Sequence, residues 1–221
     1  MKISETGLAV CCKKRGKKKL LGFEDFEGFD LGAITEEKAG RVFGELMDCK
    51  LIDMDDKGIQ VNPLGKHVVR MMTEPDVFIT LMNETSQRKV RVYLRNTYYL
   101  CVLEDMGESQ GEKEYTVDYL PDLKLVIGSF IHALKQGTEI REIKDSWDFQ
   151  VSGKGLDKEG KAFSELTLYG DYEGDLVAYQ LQKMGEEEEQ EEGKKELSSV
   201  VNMITTWMFD MISKTDKSEV E

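Results

Sequence analysis

Two stretches of this 221-residue chain carry the same apolar stripe at one constant offset: Leu123, Val126, Ile127, Phe130 and Leu134, then Leu197, Val200, Val201, Ile204 and Met208. The spacing is that of an amphipathic helix. Helical periodicity alone is a weak match, since all such helices share it, but each stretch also closes a series of period-two, β-branched segments. Val77 to Met82, Val90 to Leu94, Tyr98 to Leu103 and Tyr115 to Tyr119 precede the first; Trp147 to Val151, Glu165 to Tyr169 and Leu176 to Leu181 precede the second. The pattern predicts an α+β fold with two quasi-repeated antiparallel β-meander plus helix units. These would pack sheet to sheet or join in one antiparallel sheet with helices on one side.

A module of different character comes before the repeat. Ser4 is placed to cap a short helix that ends in Lys13, Lys14 and Arg15 before Gly16, a charge order that suits the helix dipole. A linker with Phe23, Phe26 and Phe29 follows, and Thr35 then caps a second helix with Ala39, Val42, Phe43, Leu46 and Met47 on its apolar face. Leu51-Ile52 and Ile59 to Val61 flank Asp55-Asp56-Lys57-Gly58, a hairpin signal in which glycine supplies the left-handed turn position. Pro63 suits the first turn of a third helix bearing Leu64, Val68, Met71 and Met72. Residues 1–75 therefore read as a helical, winged-helix-like module, 76–137 as the first repeat unit, and 138–221 as the second, with an acidic loop and a C-terminal helix.

The chain carries 30 Lys and Arg against 43 Asp and Glu, a net charge of −13. Such a surface repels phosphate backbones, so nucleic acid is an unfavoured partner. No apolar run approaches the roughly 18 residues of a membrane span. The opening MKISETGLAV lacks the basic-then-apolar order of a signal peptide, and a cytoplasmic protein with no membrane partner is expected. Cys11, Cys12, Cys49 and Cys101 form no C-x-x-C pair and in that compartment read as small buried hydrophobes.

Signals for catalysis are sparse. His67 and His132 are the only histidines, and neither sits in a ligand spacing such as H-E-x-x-H. There is no Walker loop; Gly153-Lys-Gly155 lacks the strand and helix that a dinucleotide fingerprint needs around it. Asp53-Met-Asp55-Asp56-Lys-Gly58 begins like a calcium loop. It fails at its fifth and twelfth positions, which are Lys57 and Leu64. An enzyme working through carboxylates alone would need a spaced pair, and none singles itself out. The expectation is no enzyme, no cofactor and no metal.

Three surface features remain. Lys13 to Lys19 is the one basic cluster, read as a helix C-terminus and solvated linker ahead of a patch for nucleic acid, anionic lipid or an acidic partner. Glu186 to Glu189 with Glu191 and Glu192 reads as a self-repelling solvated loop. Met203, Met208 and Met211 flank Trp207 on the terminal helix. A methionine stripe is core filling by default, and a groove for a partner helix as the alternative.

The order of elements around Glu45-Leu46-Met47-Asp48-Cys49-Lys50-Leu51-Ile52-Asp53, Gly58-Ile59-Gln60-Val61 and Glu74-Pro75, with the later duplication of meander and helix, resembles the EspG family of type VII secretion. It departs at Lys50-Leu51, where the family has Gly-Leu, and in the basic N-terminal run. The resemblance implies a cytosolic chaperone for helical-hairpin secretion substrates, its partner a small helical secreted protein or heterodimer. The family binds with its sheet, an inter-strand loop and its C-terminal helices. That implies contacts at Glu108 and Gln110 in the Gly107 to Lys113 loop, and at Met203, Trp207, Met208 and Met211. A winged-helix nucleic-acid-binding regulator, with Lys13 to Lys19 on phosphates, is the alternative from another class.

Overall fold

The computed structural model describes residues 1–16, 20–23, 30–56, 58–83, 88–96, 99–109, 111–119, 122–137, 147–185 and 188–217. The first elements are β1 (Lys2–Ser4), α1 (Glu5–Lys14), α2 (Glu36–Asp48), β2 (Ile52–Asp55), β3 (Gly58–Val61) and α3 (Pro63–Thr73). The Ser4 and Thr35 caps fall where the sequence places them, and Asn62 caps the helix that Pro63 opens. Ser4 Oγ accepts from Gly7 N at 3.0 Å, Thr35 Oγ1 from Lys38 N at 3.3 Å, and Asn62 Oδ1 from Gly65 N at 2.9 Å, each satisfying an orphan donor of the first turn. Gly58 turns the β2–β3 hairpin at φ 100°.

The first repeat unit is β4 (Val77–Asn83), β5 (Lys89–Arg95), β6 (Tyr99–Ser109), β7 (Glu112–Tyr119) and α4 (Leu123–Gly137). The second is β8 (Phe149–Leu156), β9 (Ala162–Glu173), β10 (Leu176–Met184), β11 (Glu189–Glu196) and α5 (Leu197–Lys217). All except β2 and β3 lie in one antiparallel sheet of nine strands, in the order β1-β7-β6-β5-β4-β8-β9-β10-β11. The two units meet at β4 and β8, which pair antiparallel with Leu81 opposite Val151 and Ile79 opposite Gly153. Each unit therefore starts at the centre of the sheet and works outward. This is the single-sheet form of the expected duplication.

Two departures matter for function. Each unit has four strands, because Glu189 to Glu196 forms β11 instead of a loop, pairing with β10 along Leu176 to Lys183. Its sequence has no apolar alternation to reveal it, and its charges suit an exposed edge that must not pair with another chain. The Gly107 to Lys113 segment is likewise mostly strand: β6 continues to Ser109 and β7 begins at Glu112, with a register shift between Asp105 and Glu108. Gly107, at φ 85°, accommodates that bulge.

Helices α4 and α5 pack on one face of the sheet. Ile127, Phe130 and Ile131 of α4 and Val200, Ile204, Trp207, Met208 and Ile212 of α5 share a core with Val77, Ile79, Leu81, Val151, Leu168 and Val177. The N-terminal module covers the other face, in the first unit only, meeting Tyr93, Cys101, Leu103, Tyr115 and Val117. Residues 20–23 are tied onto this face. Tyr93 OH donates to Leu21 O at 2.7 Å, Arg91 Nε donates to Gly22 O at 3.1 Å, and the Arg91 guanidinium sits 4.5 Å from the Phe23 ring centre, a cation–π contact. Among the described residues no helix is long and apolar enough to cross a membrane.

Candidate functional site

The residues expected to receive a partner fall in three settings. Trp207, Met208 and Met211 are buried, at 4%, 0% and 5% exposure. They face the sheet, so that side of α5 is core and the groove reading is corrected. Gly153 and Gly155 explain the fit: a Cβ at Gly153 would lie 2.6 Å from Cζ3 of Trp207, and one at Gly155 would lie 3.1 Å from Sδ of Met211. The two glycines are notches that let large side chains approach the backbone of β8. Met203 is partly buried at the edge of the same core.

Glu108 sits on β6 opposite Lys113 and is exposed. Gln110 lies outside the described residues. Strands β5 and β4 separate β6 from β8, over which Trp207 packs, so Glu108 and the terminal helix do not form one patch.

Two other surfaces take their place, and both belong to the second unit. A cleft of about 1060 Å³ runs between α5 and the β9 to β11 region, with Ser199, Asn202, Met203, Thr206, Asp210 and Glu189 on its walls. At its edge Tyr179 OH donates to Glu191 Oε1 at 2.5 Å, and Lys195 Nζ lies 2.7 Å from the same oxygen and 3.6 Å from Met203 Sδ. The hydrogen bonds from Lys195 and then Tyr179 hold the Glu191 carboxyl below its ordinary range, and Glu191 in turn holds the Lys195 ammonium above its own. Glu191 and Lys195 stay charged and Tyr179 stays neutral across ordinary pH, and the bond from Tyr179 of β10 fastens β11 to the sheet. The triad has no group poised to gain or lose a proton near neutrality.

The second surface is the sheet face that the N-terminal module leaves uncovered. Gln150, Ser152, Thr167, Tyr169, Gln180 and Gln182 alternate with the buried Val151, Leu166, Leu168 and Leu181, as strands with one wet face require. Trp147 stacks near Tyr169, with ring centres 6.3 Å apart. A shallow concavity of about 350 Å³ lies over Thr167, Tyr169, Gln180, Gln182 and Gln190. The face offers amide and hydroxyl groups, with Glu192 beside the concavity and the Lys154–Glu165 ion pair, 3.1 Å, on β8 and β9.

The first unit holds a buried carboxylate as well, at a structural joint. Glu112, 8% exposed, accepts from Thr6 N at 2.7 Å and from Arg41 Nη2 at 2.8 Å, with Lys38 Nζ at 3.4 Å. Burial pulls its pKa upward, but the Thr6 and Lys38 contacts outweigh that and leave it below the ordinary range. It locks β7 to the N-terminus of α1 and to α2. Nearby Glu45 accepts from Ser4 N, and burial raises its pKa.

His132 is exposed on α4, and His67 is partly buried on α3. No group of three or more His, Cys, Asp or Glu among the described residues is arranged to hold a metal. All four cysteines are buried and none is in a disulfide, and burial pushes Cys11 up to about 12, far from the thiolate a nucleophile needs. Lys13 and Lys14 lie in the last turn of α1, while Lys17 to Lys19 lie outside the described residues. The β2–β3 hairpin presents Asp53, Asp55 and Asp56, which oppose a phosphate backbone where a wing would meet it.

No protein-family model matches the chain, and no curated protein matches it. The fold and surfaces define an α+β protein built from a duplicated sheet-and-helix unit, with an N-terminal helical module closing one face of the first copy.

Proposed function

We propose that this protein is a binding protein that holds a small helical-hairpin client soluble in the cytoplasm, as a chaperone of the EspG type serving a type VII-like secretion system. The observation that carries the reading is the seam between β4 and β8. It joins two meander-and-helix halves in one sheet, the duplication on which the resemblance rests. In this reading the client lies on the second unit, in the cleft between α5 and the β9 to β11 region, on the helix-bearing face of the sheet. The α5 cleft would receive one helix of the hairpin, with Asn202, Met203, Thr206 and Asp210 in contact. A client so held is released by competition and needs no bond-making step.

Co-expression with candidate helical-hairpin proteins tests this. A 1:1 complex that survives moderate salt is expected, and Asn202→Arg together with Thr206→Arg, both exposed positions, should break it while leaving the fold intact. Failure of every such client to co-purify would remove the proposal.

A further inference from the structure

Packing in the N-terminal module is interrupted between α1, α2 and the β2–β3 hairpin. A cavity of about 160 Å³ lies there among Val10, Val42, Phe43, Leu46, Ile52 and Ile59. Folded interiors leave few voids larger than a water molecule, and an apolar void stays dry because water finds no hydrogen-bond partners in it. Ile59, 49% exposed, stands at the rim. The cavity is therefore reachable from solvent.

Its lining is apolar except at one point. Lys14, exposed in the last turn of α1, is the single charged residue among the described lining residues, and it makes no ion pair among the described residues. Arg15 adjoins it, so two cations stand against the partial negative charge of the helix end, about half an elementary charge. Cys11, also in the lining, is held neutral by burial and adds no competing anion.

We propose that this cavity binds a free medium-chain carboxylate, its alkyl chain among Val42, Phe43 and Leu46 and its carboxylate at Lys14. Size and charge select that class together. An apolar cavity of about 150 Å³ accommodates benzene, so about six carbons fit inside, and the remaining carbons bring the head group to the mouth. A neutral alkane would leave Lys14 unused, and a short carboxylate would leave the cavity empty. The site is remote from the α5 cleft, and the inference stands apart from client binding.

The test uses the full chain with isoleucine and valine methyl groups labelled for NMR, titrated separately with sodium octanoate and 1-octanol. Octanoate should shift the methyls of Val42, Ile52 and Ile59. Lys14→Gln should weaken octanoate about fivefold and leave 1-octanol unchanged. Ala39→Phe, at an exposed lining position, should abolish both, with circular dichroism confirming that the variant is folded. Absence of octanoate shifts at these methyls overturns the proposal, as does unchanged octanoate binding in folded Ala39→Phe. Equal octanoate affinity in wild type and Lys14→Gln also overturns it, and would make the cavity a socket for an uncharged apolar group such as a partner's side chain.

Discussion

The indole of Trp207 occupies space that only a glycine at position 153 leaves free: a Cβ there would lie 2.6 Å from the ring. The largest side chain of α5 thus closes onto the backbone of β8, next to the seam between the two halves. Gly153→Ala should destabilise the protein by about 1–3 kcal/mol, the usual cost of overpacking a filled core. Urea unfolding followed by tryptophan fluorescence checks this, and Trp207→Phe in the same background should recover part of the loss.

Trp207 itself is a stability residue. Trp207→Ala should cost about 3–5 kcal/mol through the cavity it leaves, and Trp207→Asp should unfold the chain by burying a lone charge beside Ile79 and Met208. Loss of a partner in either variant would therefore report unfolding. Thermal melts of the isolated variants separate that from a lost contact.

Glu112 should make stability depend on pH. Its folded pKa is depressed, so its contribution is present above the unfolded value, near the ordinary 4.5, and is lost as pH falls through the folded value. Glu112→Gln should cost about 1–2 kcal/mol at neutral pH, and the difference from wild type should vanish in acid. Glu45 acts with the opposite sign, since burial raises its folded pKa and acidification through that value favours the fold. Urea titrations of wild type and Glu112→Gln, neutral and near pH 3, give the comparison.

Much of this architecture was legible in the sequence. The matched stripes beginning at Leu123 and Leu197 identified the two helices, and the alternation in Val77 to Met82 and in Val90 to Leu94 identified central strands. Three features were hidden for physical reasons. Strand β11, Glu-Gln-Glu-Glu-Gly-Lys-Lys-Glu, is an edge held by backbone pairing and surface ion pairs, so it carries no hydrophobic period. Gly153 and Gly155 lie in β8 beyond the expected Trp147 to Val151 strand, where glycine usually interrupts a strand; here they make room for Trp207 and Met211. Gly107 suggested a turn and is a bulge inside a longer hairpin. The default core reading of the α5 stripe and its groove alternative look alike in sequence for a related reason: an apolar helical face does not show whether a sheet or a partner covers it, and here the sheet covers Trp207, Met208 and Met211.

The charge on β11 should protect this edge. Lys194 reaches across β10 to pair with Glu173 at the end of β9, and Lys183 of β10 pairs with Glu189 of the adjoining β11; the outermost backbone groups stand among charges that discourage a second chain. Replacing Glu192 and Lys194 together by Val should leave the monomer's secondary structure intact and produce concentration-dependent association. Static light scattering over a dilution series detects it.

The central claim, that the second unit holds a helical-hairpin client, is tested most directly by co-expressing the full chain with small helical-hairpin proteins encoded beside its gene and weighing the purified complex by light scattering. A 1:1 complex that is lost in the folded Asn202→Arg, Thr206→Arg variant is the predicted result. A chain that purifies alone with every such candidate, or a complex indifferent to that variant, would contradict it.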